Sequence, residues 1–304
     1  MSRTRETANF GRIVGRKNLI INGGFDIWQR GTSFTSPSDY TADRWRVSST
    51  SSQGGAENIS RQEFSLGQTE VPGNPQFFAR CDRTAAGSIF NGTFAQRIEN
   101  VRTLAGKTVT ISFYAKAAAA KTLIMRFVQV FGRGSGSSDN VITNIGDLSL
   151  GTSWQKYTFT VEVPSIAGKT IAGDDSFIQF SIDEADNFSP FTLDIAQVQI
   201  EEGEIATPFE QRSVGEELAL CSRYYETLGR HDMYRTNTDN SIKTLDWVFA
   251  VKKRASPSVD IGGSINAGSP IAGNLSPEAV RFVDSSASTG ATTVLSGLQA
   301  DAEL

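Results

Sequence analysis

Apolar and polar residues alternate with a period of two over most of the chain between residues 17 and 207. In the segment "KTVTISFYAKA", residues 107–117, the side chains of Val109, Ile111 and Phe113 fall on one side of an extended backbone. Such segments, bounded by residues rich in Gly, Ser, Asn or Pro, predict β-strands joined by turns. The predicted strands cover residues 43–50, 75–83, 92–100, 107–117, 121–131, 153–164, 176–183 and 191–200. Many short strands without helical segments between them favour an all-β antiparallel sandwich or barrel.

A turn signal lies between two of these predicted strands. Asn91-Gly92 is the dipeptide that a tight type I′ turn prefers, because both central residues of that turn need a positive φ. We therefore predict a hairpin that joins the strands before and after this dipeptide. The stretch "GRGSGSSDN", residues 132–140, predicts a flexible connection.

The segment "TPFEQRSVGEELALCSRYYETL" interrupts the period of two. Ser213 followed three residues later by Glu216 is a capping box, in which each side chain satisfies the backbone N–H of the other. Apolar side chains then recur with helical spacing at Val214, Leu218, Cys221 and Tyr225. The pattern predicts one helix over residues 214–226.

Shorter predicted strands follow the helix, over residues 243–254, 258–263, 279–286 and 292–304. This part of the chain is rich in Gly, Ser and Ala, and its apolar content is thin for its length. Small β domains of that kind often complete their core by association, so we expect an oligomer. The predicted division is an arm (1–16), a sandwich (17–208), a linker with the helix (209–227) and a C-terminal β domain (228–304).

Charge and hydropathy exclude several partners. The 304 residues carry a formal net charge of -4, whereas a nucleic-acid groove needs clustered Lys and Arg, so we expect no nucleic-acid partner. No apolar run approaches the roughly 20 residues that a spanning helix needs, so we expect no membrane insertion. The opening residues "MSRTRETANF" lack the apolar segment of a secretory signal peptide.

Histidine and cysteine usage argues against several kinds of catalytic site. His231 is the one histidine, and it lies in a polar stretch without a nucleophile elbow. Cys81 and Cys221 are far apart in the sequence and are predicted to be buried thiols rather than a disulfide. No Gly-rich loop lies between a predicted strand and a predicted helix, so the sequence gives no support for nucleotide binding.

Acidic residues cluster in "GDD" (173–175), "DEAD" (183–186) and "EEGE" (201–204). A glycosidase requires two carboxyl groups that face each other across roughly 5 to 10 Å, which a linear sequence cannot display. These clusters fall at predicted strand ends and turns, where solvated acids are common. We therefore assign no catalytic residue and predict that the protein is not an enzyme.

The aromatic residues suggest a binding surface. Tyr114 lies opposite the apolar side of its predicted strand, and sugars are bound by aromatic rings accompanied by polar groups. Arg80, Gln129 and Gln179 would join Tyr114 in one carbohydrate-binding surface if their strands were neighbours. An ordinary polar outer face is the alternative interpretation, and both stay open.

The stretch "NLIINGGFDIW" (18–28) resembles the first strand of jelly-roll carbohydrate-binding modules of the xylan- and glucan-binding type. In those modules the glycines permit a tight bend and the acid, here Asp26, ligates a structural calcium. The resemblance implies a Ca²⁺ site at Asp26, with Asp194 as the second ligand, because Ala196 and Gln197 occupy the positions of the usual second pair. "ADRWRV" resembles the following strand, whose Trp, here Trp45, packs in the core. Trp28 is then predicted to cover the end of the sandwich.

A longer set of motifs resembles a phage family. "NGGFDIWQRGTSF", "YTADRWRV", "VQIEEGEIATPFEQRSVGEELALCSRYYE", a strand of the form F-x-V-x-x-R-x-x-P-x-V (249–259) and the terminal "DAEL" are similar to tail-fibre-like and receptor-binding-like virion proteins. The resemblance implies an all-β protein, an antiparallel jelly-roll β-sandwich followed by a short helix and a small C-terminal β domain. It also implies a homotrimer, made in the host cytoplasm and assembled on the tail or capsid surface of the virion.

The expected function is host adsorption through binding of cell-surface polysaccharide. A purely structural tail, neck or head-spike component is the alternative, and a polysaccharide depolymerase is a third. The basic arm contains Arg3, Arg5, Arg12 and Arg16. It is either a flexible tail or the segment that docks into another virion protein.

Overall fold

The chain divides into two compact units. The computed structural model describes residues 17–35, 39–48, 56–85, 93–184, 190–229, 231–233, 243–260, 263–265, 271–273, 275–284 and 293–304. The first unit comprises the residues up to Asp26 together with Gly31–Arg212, and the second comprises Ile27–Arg30 and Ser213–Leu304. The first unit thus ends at Arg212 rather than at residue 208, and the predicted linker helix is part of the second unit. The basic arm lies outside the described residues.

The first unit is an antiparallel β-sandwich of jelly-roll type, as predicted. One sheet has the strand order β1-β3-β4-β11-β6-β9, and the other has the order β2-β5-β10-β7-β8. The strands are β1 Ser33–Thr35, β2 Trp45–Ser48, β3 Ala56–Glu63, β4 Phe77–Ala85, β5 Thr93–Glu99, β6 Thr108–Ala117, β7 Lys121–Val130, β8 Val141–Leu150, β9 Gln155–Glu162, β10 Phe177–Glu184 and β11 Phe191–Glu202. All sheet neighbours in both sheets run antiparallel.

The core lies between the two sheets and is filled by one side of each strand. Val109, Ile111 and Phe113 of β6 are completely buried, as the alternation predicts. Trp45 is also completely buried, and its ring stacks on Phe94 with a centroid distance of 4.7 Å. The prediction that Trp45 packs in the core is therefore confirmed.

The opening stretch forms a tight turn against β11 instead of a regular strand. The backbone N–H of Val198 donates to the carbonyl of Gly23 at 2.9 Å, which brings the two backbones close together. Gly23 is required there because a Cβ at this position would lie 2.1 Å from the carbonyl oxygen of Val198. Asn22 and Phe25 both have positive φ values, of 57° and 59°. The carbonyl of Asn22 accepts a hydrogen bond from the indole N–H of Trp45 at 2.9 Å, which fixes the turn to the core. Trp28 belongs to the segment that groups with the second unit, and its covering of the end of the sandwich stays a prediction.

Several strand predictions need correction. β3 and β8 were not predicted, because neither has a clear alternation of apolar and polar residues. The turn predicted at Asn91-Gly92 lies outside the described residues, and the described strands on either side of it, β4 and β5, do not pair with each other. β4 pairs with β3 and β11, whereas β5 pairs with β2 and β10 in the other sheet.

The second unit begins with the helix α1, Val214–Ser222. Both halves of the predicted capping box between Ser213 and Glu216 are present. The helix ends at Ser222 rather than at residue 226, because Tyr225 begins a strand and pairs with Asp301. Among the described residues, no helix is long and apolar enough to cross a membrane.

Three small antiparallel sheets complete the second unit. Their orders are β12-β20-β15, β13-β19-β16 and β14-β18-β17. The strands are β12 Tyr225–Leu228, β13 His231–Met233, β14 Lys243–Val248, β15 Ser258–Asp260, β16 Gly263–Ile265, β17 Ile271–Gly273, β18 Ala279–Asp284, β19 Thr293–Ser296 and β20 Leu298–Asp301. The buried cluster consists of Trp247, Phe249, Val280, Phe282, Leu298 and Ala300.

Candidate functional site

The outward side of the five-stranded sheet, called here the five-stranded face, carries polar and aliphatic side chains in rows that cross the strands. Within a row, each residue is the direct partner of the next on the neighbouring strand. The middle row runs through all five strands and consists of Arg46, Ala95, Ser181, Arg126 and Asn144. The row on one side of it consists of Asp183, Ile124 and Asp147, and the row on the other side consists of Arg97, Gln179, Val128 and Ile142. Ile142 and Asn144 are exposed, and Ile124, Arg126 and Val128 are half-buried, so the face reaches solvent.

Hydrogen bonds hold the polar side chains of this face in place. Asp183 accepts from the hydroxyl of Ser181 at 3.0 Å and from the guanidinium of Arg126 at 3.4 Å. Arg97 donates from Nε to the amide oxygen of Gln179 at 3.2 Å. Ser181 and Asp183 are only 1% and 4% exposed, so they support the face from beneath. The polar side chains that reach solvent beside the aliphatic ones are those of Arg46, Arg97, Arg126, Gln179 and Asn144, and such mixed surfaces suit a ring that carries several hydroxyl groups.

The outward side of the other sheet, called the six-stranded face, contains Tyr114 and Arg80. One row of this face contains three charged residues, Arg80, Asp194 and Lys116, on neighbouring strands, with Ser60 beside Arg80. Tyr114 lies one row further along, directly between Ala196 and Lys156. β11 separates the strands of Arg80 and Tyr114.

Asp194 is engaged by two cations. Arg80 donates to both carboxylate oxygens, from Nε at 2.7 Å and from Nη2 at 2.8 Å, and the ammonium of Lys116 lies 4.0 Å away. The hydrogen bonds that Arg80 donates to Asp194 raise the pKa of Arg80, although the partial burial of Arg80 acts in the opposite direction. The side chain of Asp194 is only 4% exposed. Because both oxygens already accept from a guanidinium, Asp194 does not fit the predicted role of second calcium ligand.

The potential metal-binding side chains among the other described residues also bear on the calcium prediction. Within the described ranges, no group of three or more His, Cys, Asp or Glu side chains is arranged to hold a metal ion. Calcium at Asp26 stays a prediction.

An aromatic cluster covers the part of the six-stranded face next to Tyr114. Trp154 and Phe78 are 9% and 7% exposed, and their rings meet edge to face at 5.2 Å. Phe64 packs 5.2 Å from Trp154, and Val71 of the segment between β3 and β4 is buried on the same cluster. Tyr114 packs against this cluster as a partly buried member. The cluster has the composition of a small second core beneath the β3–β4 connection.

The other end of the six-stranded face is also covered. Thr110 and Ser112 of β6 are buried, and so is Glu201 of β11. Glu201 accepts hydrogen bonds from the backbone N–H and the hydroxyl of Thr207, both at 2.8 Å. This carboxylate of the "EEGE" cluster therefore fastens the chain that follows β11 to the sheet.

The predicted carbohydrate-binding residues do not form one surface. Tyr114 and Arg80 share the six-stranded face, but Gln179 lies on the five-stranded face. Gln129 points into the interior, where it is 1% exposed and donates to the carbonyl of Pro164 at 3.0 Å. The prediction that all four side chains meet is wrong, because β7 and β10 belong to the other sheet.

Sequence reasoning missed the polar neighbours of Gln179. Arg97 and Arg126 alternate with buried residues in predicted strands, and so do Ser181 and Asp183, which marks them as outward. Nothing in the linear pattern indicates that β5, β10 and β7 are adjacent.

Comparison with known proteins finds similar architecture only. No family model matches the sequence, and no curated protein matches it. A solved structure described as "CBM4 structure and function" is 22% identical over 60% of this chain and 98% of that chain, with a TM-score of 0.34. A putative sugar binding protein from Bacteroides thetaiotaomicron is 15% identical over 62% of this chain and 100% of that chain, with a TM-score of 0.41. The enzymatically active domain of tailspike protein 4 from bacteriophage CBA120 is 14% identical over 61% of this chain and 21% of that chain, with a TM-score of 0.35. The function has to be argued from this chain's own residues.

Proposed function

We propose that this chain is a non-enzymatic glycan-binding protein and that the five-stranded face is its binding site. The observation that carries the proposal is the row of Arg46, Ser181, Arg126 and Asn144, which crosses the sheet with Gln179 and Asp183 on either side of it. A sugar chain needs several hydrogen-bonding groups of both kinds along its length, and Arg46, Arg126, Gln179 and Asn144 are the donors and acceptors of this face that reach solvent.

The aliphatic side chains complete the site. Ile124, Val128 and Ile142 lie on β7 and β8, beside the polar row, and each is at least partly exposed. Apolar C–H faces of a sugar ring can pack on them while hydroxyl groups reach Gln179 or Asn144. Shallow contacts of this kind give weak affinity for a single copy, because desolvation offsets much of the gain.

Within this proposal the protein is a phage fibre or spike that adsorbs to host polysaccharide. The support is the set of motifs spaced from residue 18 to the terminal "DAEL". We also propose a homotrimer, for which Val214 and Leu218 of α1 are the motivating residues: they are 65% and 40% exposed. Three linked copies would raise the apparent affinity by roughly a hundredfold or more if all engage one surface. Detection of only the mass of one chain by native mass spectrometry would contradict the homotrimer.

The basic arm is proposed to dock into another virion protein. A truncated chain that lacks residues 1–16 should then fail to be incorporated into virus particles. Normal incorporation of the truncated protein would contradict this role.

Retention on immobilised bacterial polysaccharides tests the binding proposal. We expect the full chain to be retained, and we expect Gln179→Ala and Arg126→Ala to elute early with unchanged melting temperatures. Tyr114→Ala is the control on the other face and should be retained like the wild type. Release of new reducing ends during the incubation would instead favour a depolymerase. Failure to bind any polysaccharide or host cell would favour a structural virion component.

A further inference from the structure

Arginines gather at the β2–β5 side of the five-stranded face. Arg46 is the direct partner of Ala95, and Arg97 lies two residues further along β5, so the two arginines are diagonal neighbours on one face. Arg133 follows the end of β7 and acts electrostatically on Arg97. Three guanidinium groups therefore contribute positive potential to one end of the proposed sugar site.

Arg97 is held firmly within this group. Its guanidinium lies over the ring of Phe177, 4.5 Å from the centroid, and its Nε donates to Gln179. Arg44, which is 1% exposed, donates from Nη2 to the carbonyl of Arg97 at 2.6 Å and fixes the backbone of β5. A guanidinium that packs on an aromatic ring and is positioned by a hydrogen bond is well prepared to bind an anion through two parallel N–H donors.

The electrostatics favour an anion at this point. Burial lowers the pKa of Arg97, and the positive charges of Arg46 and Arg133 lower it further, while Tyr40 opposes the shift. Arg97 still carries its charge at neutral pH, because an arginine titrates far above that range. An anionic group bound here would offset both the desolvation of Arg97 and the repulsion between the cations.

Two carboxylates near these arginines form only long ion pairs with the guanidinium groups. Asp39 lies 3.9 Å from Arg46 with a side chain that is 77% exposed. Asp175 lies 3.7 Å from Arg133, whose side chain is 69% exposed. Exposed pairs at such distances contribute little energy, so a ligand can compete with them.

We propose that the five-stranded face takes glycans that carry an anionic group on the sugar ring, and that Arg97 and Arg46 bind this group. The inference rests on the proposed function, because it names the class of glycan for the same site. Gln179, Arg126 and Asn144, which reach solvent, then contact the hydroxyl groups of the neighbouring sugar units, next to the anion.

Pairs of polysaccharides that differ in charge alone test the inference. The probes are polygalacturonate and its carboxyl-reduced form, together with dextran sulfate and dextran, and a panel of neutral plant and bacterial glucans and xylans. Arg97→Gln is the test variant. Lys156→Gln is the matched control, since it removes one positive charge from an exposed residue of the six-stranded face.

We expect the wild type to bind at least one charged polymer about tenfold or more tightly than its neutral counterpart, as hydrogen bonds to charged groups imply. Arg97→Gln should abolish this difference while Lys156→Gln retains it. The difference should also shrink between about 0.05 M and 0.5 M NaCl, because salt screens exposed charges. Comparison of polygalacturonate with dextran sulfate shows whether the site accepts a carboxylate, a sulfate or both.

The outcomes separate this inference from the proposed function. Equal binding of charged and neutral polymers, or loss of binding in Lys156→Gln as large as in Arg97→Gln, would overturn the anionic preference and leave glycan binding intact. Binding to none of the polymers, charged or neutral, would overturn both.

Discussion

The two outward faces of the sandwich are built from the same alternating strands, but they differ in what lies on them. On the six-stranded face, Phe78 and Trp154 are covered by the β3–β4 connection and Glu201 fastens the chain after β11. On the five-stranded face, the polar side chains of Arg126 and Gln179 bond to their neighbours and still reach solvent. Outward polarity alone therefore does not identify a binding surface.

The buried acids of the two faces differ only in the geometry of their ion pairs. Asp194 on the six-stranded face is enclosed between Arg80 and Lys116, and both of its oxygens are used. Asp183 on the five-stranded face has a hydroxyl and a single guanidinium at longer range. The side chains of Asp194 and Asp183 are 4% and 5% exposed, so both ion pairs stabilise their sheets and neither carboxylate is open to a ligand.

The largest expected effect concerns the core that supports both faces. Trp45→Ala should lower the free energy of unfolding by about 3 to 5 kcal/mol, because it leaves a cavity beside Phe94 and Phe25. Urea unfolding of the purified protein, followed by circular dichroism, measures this change. A loss below about 1 kcal/mol would mean that the surroundings of Trp45 are not the packed core described above.

Trp154→Ala tests the second core on the six-stranded face. We expect a smaller loss, of about 2 kcal/mol, because Trp154 lies under one connection rather than between two sheets. Proteolysis should become faster between β3 and β4, while polysaccharide retention stays at the wild-type level. Reduced retention in a variant that is still folded would indicate that the binding site lies on the six-stranded face and would contradict the proposal.

The ion pair at Asp194 should contribute less than either tryptophan. Asp194→Asn leaves Arg80 and Lys116 without a negative partner, and we expect a loss of about 1 to 2 kcal/mol, discounted because Arg80 is partly exposed. The loss should be equal in the presence and absence of excess EDTA. A loss that disappears in EDTA would show that Asp194 ligates a metal after all.

The smallest expected effect is that of Tyr114→Phe, which keeps the ring that packs on the aromatic cluster. Stability should change by no more than about 0.5 kcal/mol, and retention on polysaccharide should be unchanged. Isothermal titration with the retained polysaccharide measures the second quantity. A clear loss of affinity would restore the sequence-based interpretation of Tyr114 as a sugar contact.

Alternation and turn chemistry predict most of the sandwich, because each buried strand repeats the same local pattern. The core positions Val109, Ile111 and Phe113 follow directly from the period of two, and the start of α1 follows from Ser213 and Glu216. These features depend on neighbours in the sequence, and a sequence displays them.

Sheet membership is a property of distant contacts, and the sequence does not display it. Gln129 and Gln179 occupy similar strands, yet one points into the core and the other outward, because their phases relative to the sheet differ. Asn91-Gly92 has the chemistry of a hairpin turn although the strands beside it enter different sheets. Trp28 belongs with residues of the second unit that are almost two hundred positions away, such as Tyr225, which accepts a hydrogen bond from the neighbouring Gln29.

Blocking one face at a time tests the central claim most directly. Asn144→Cys places a thiol on the five-stranded face, and Lys156→Cys places one beside Tyr114 on the six-stranded face; both positions are exposed. The native thiols of Cys81 and Cys221 are buried, so a bulky maleimide reacts with the introduced residue. We expect the label at position 144 to abolish retention on polysaccharide and the label at position 156 to leave it unchanged. Loss of retention with the label at 156 alone would contradict the assignment of the binding site to the five-stranded face.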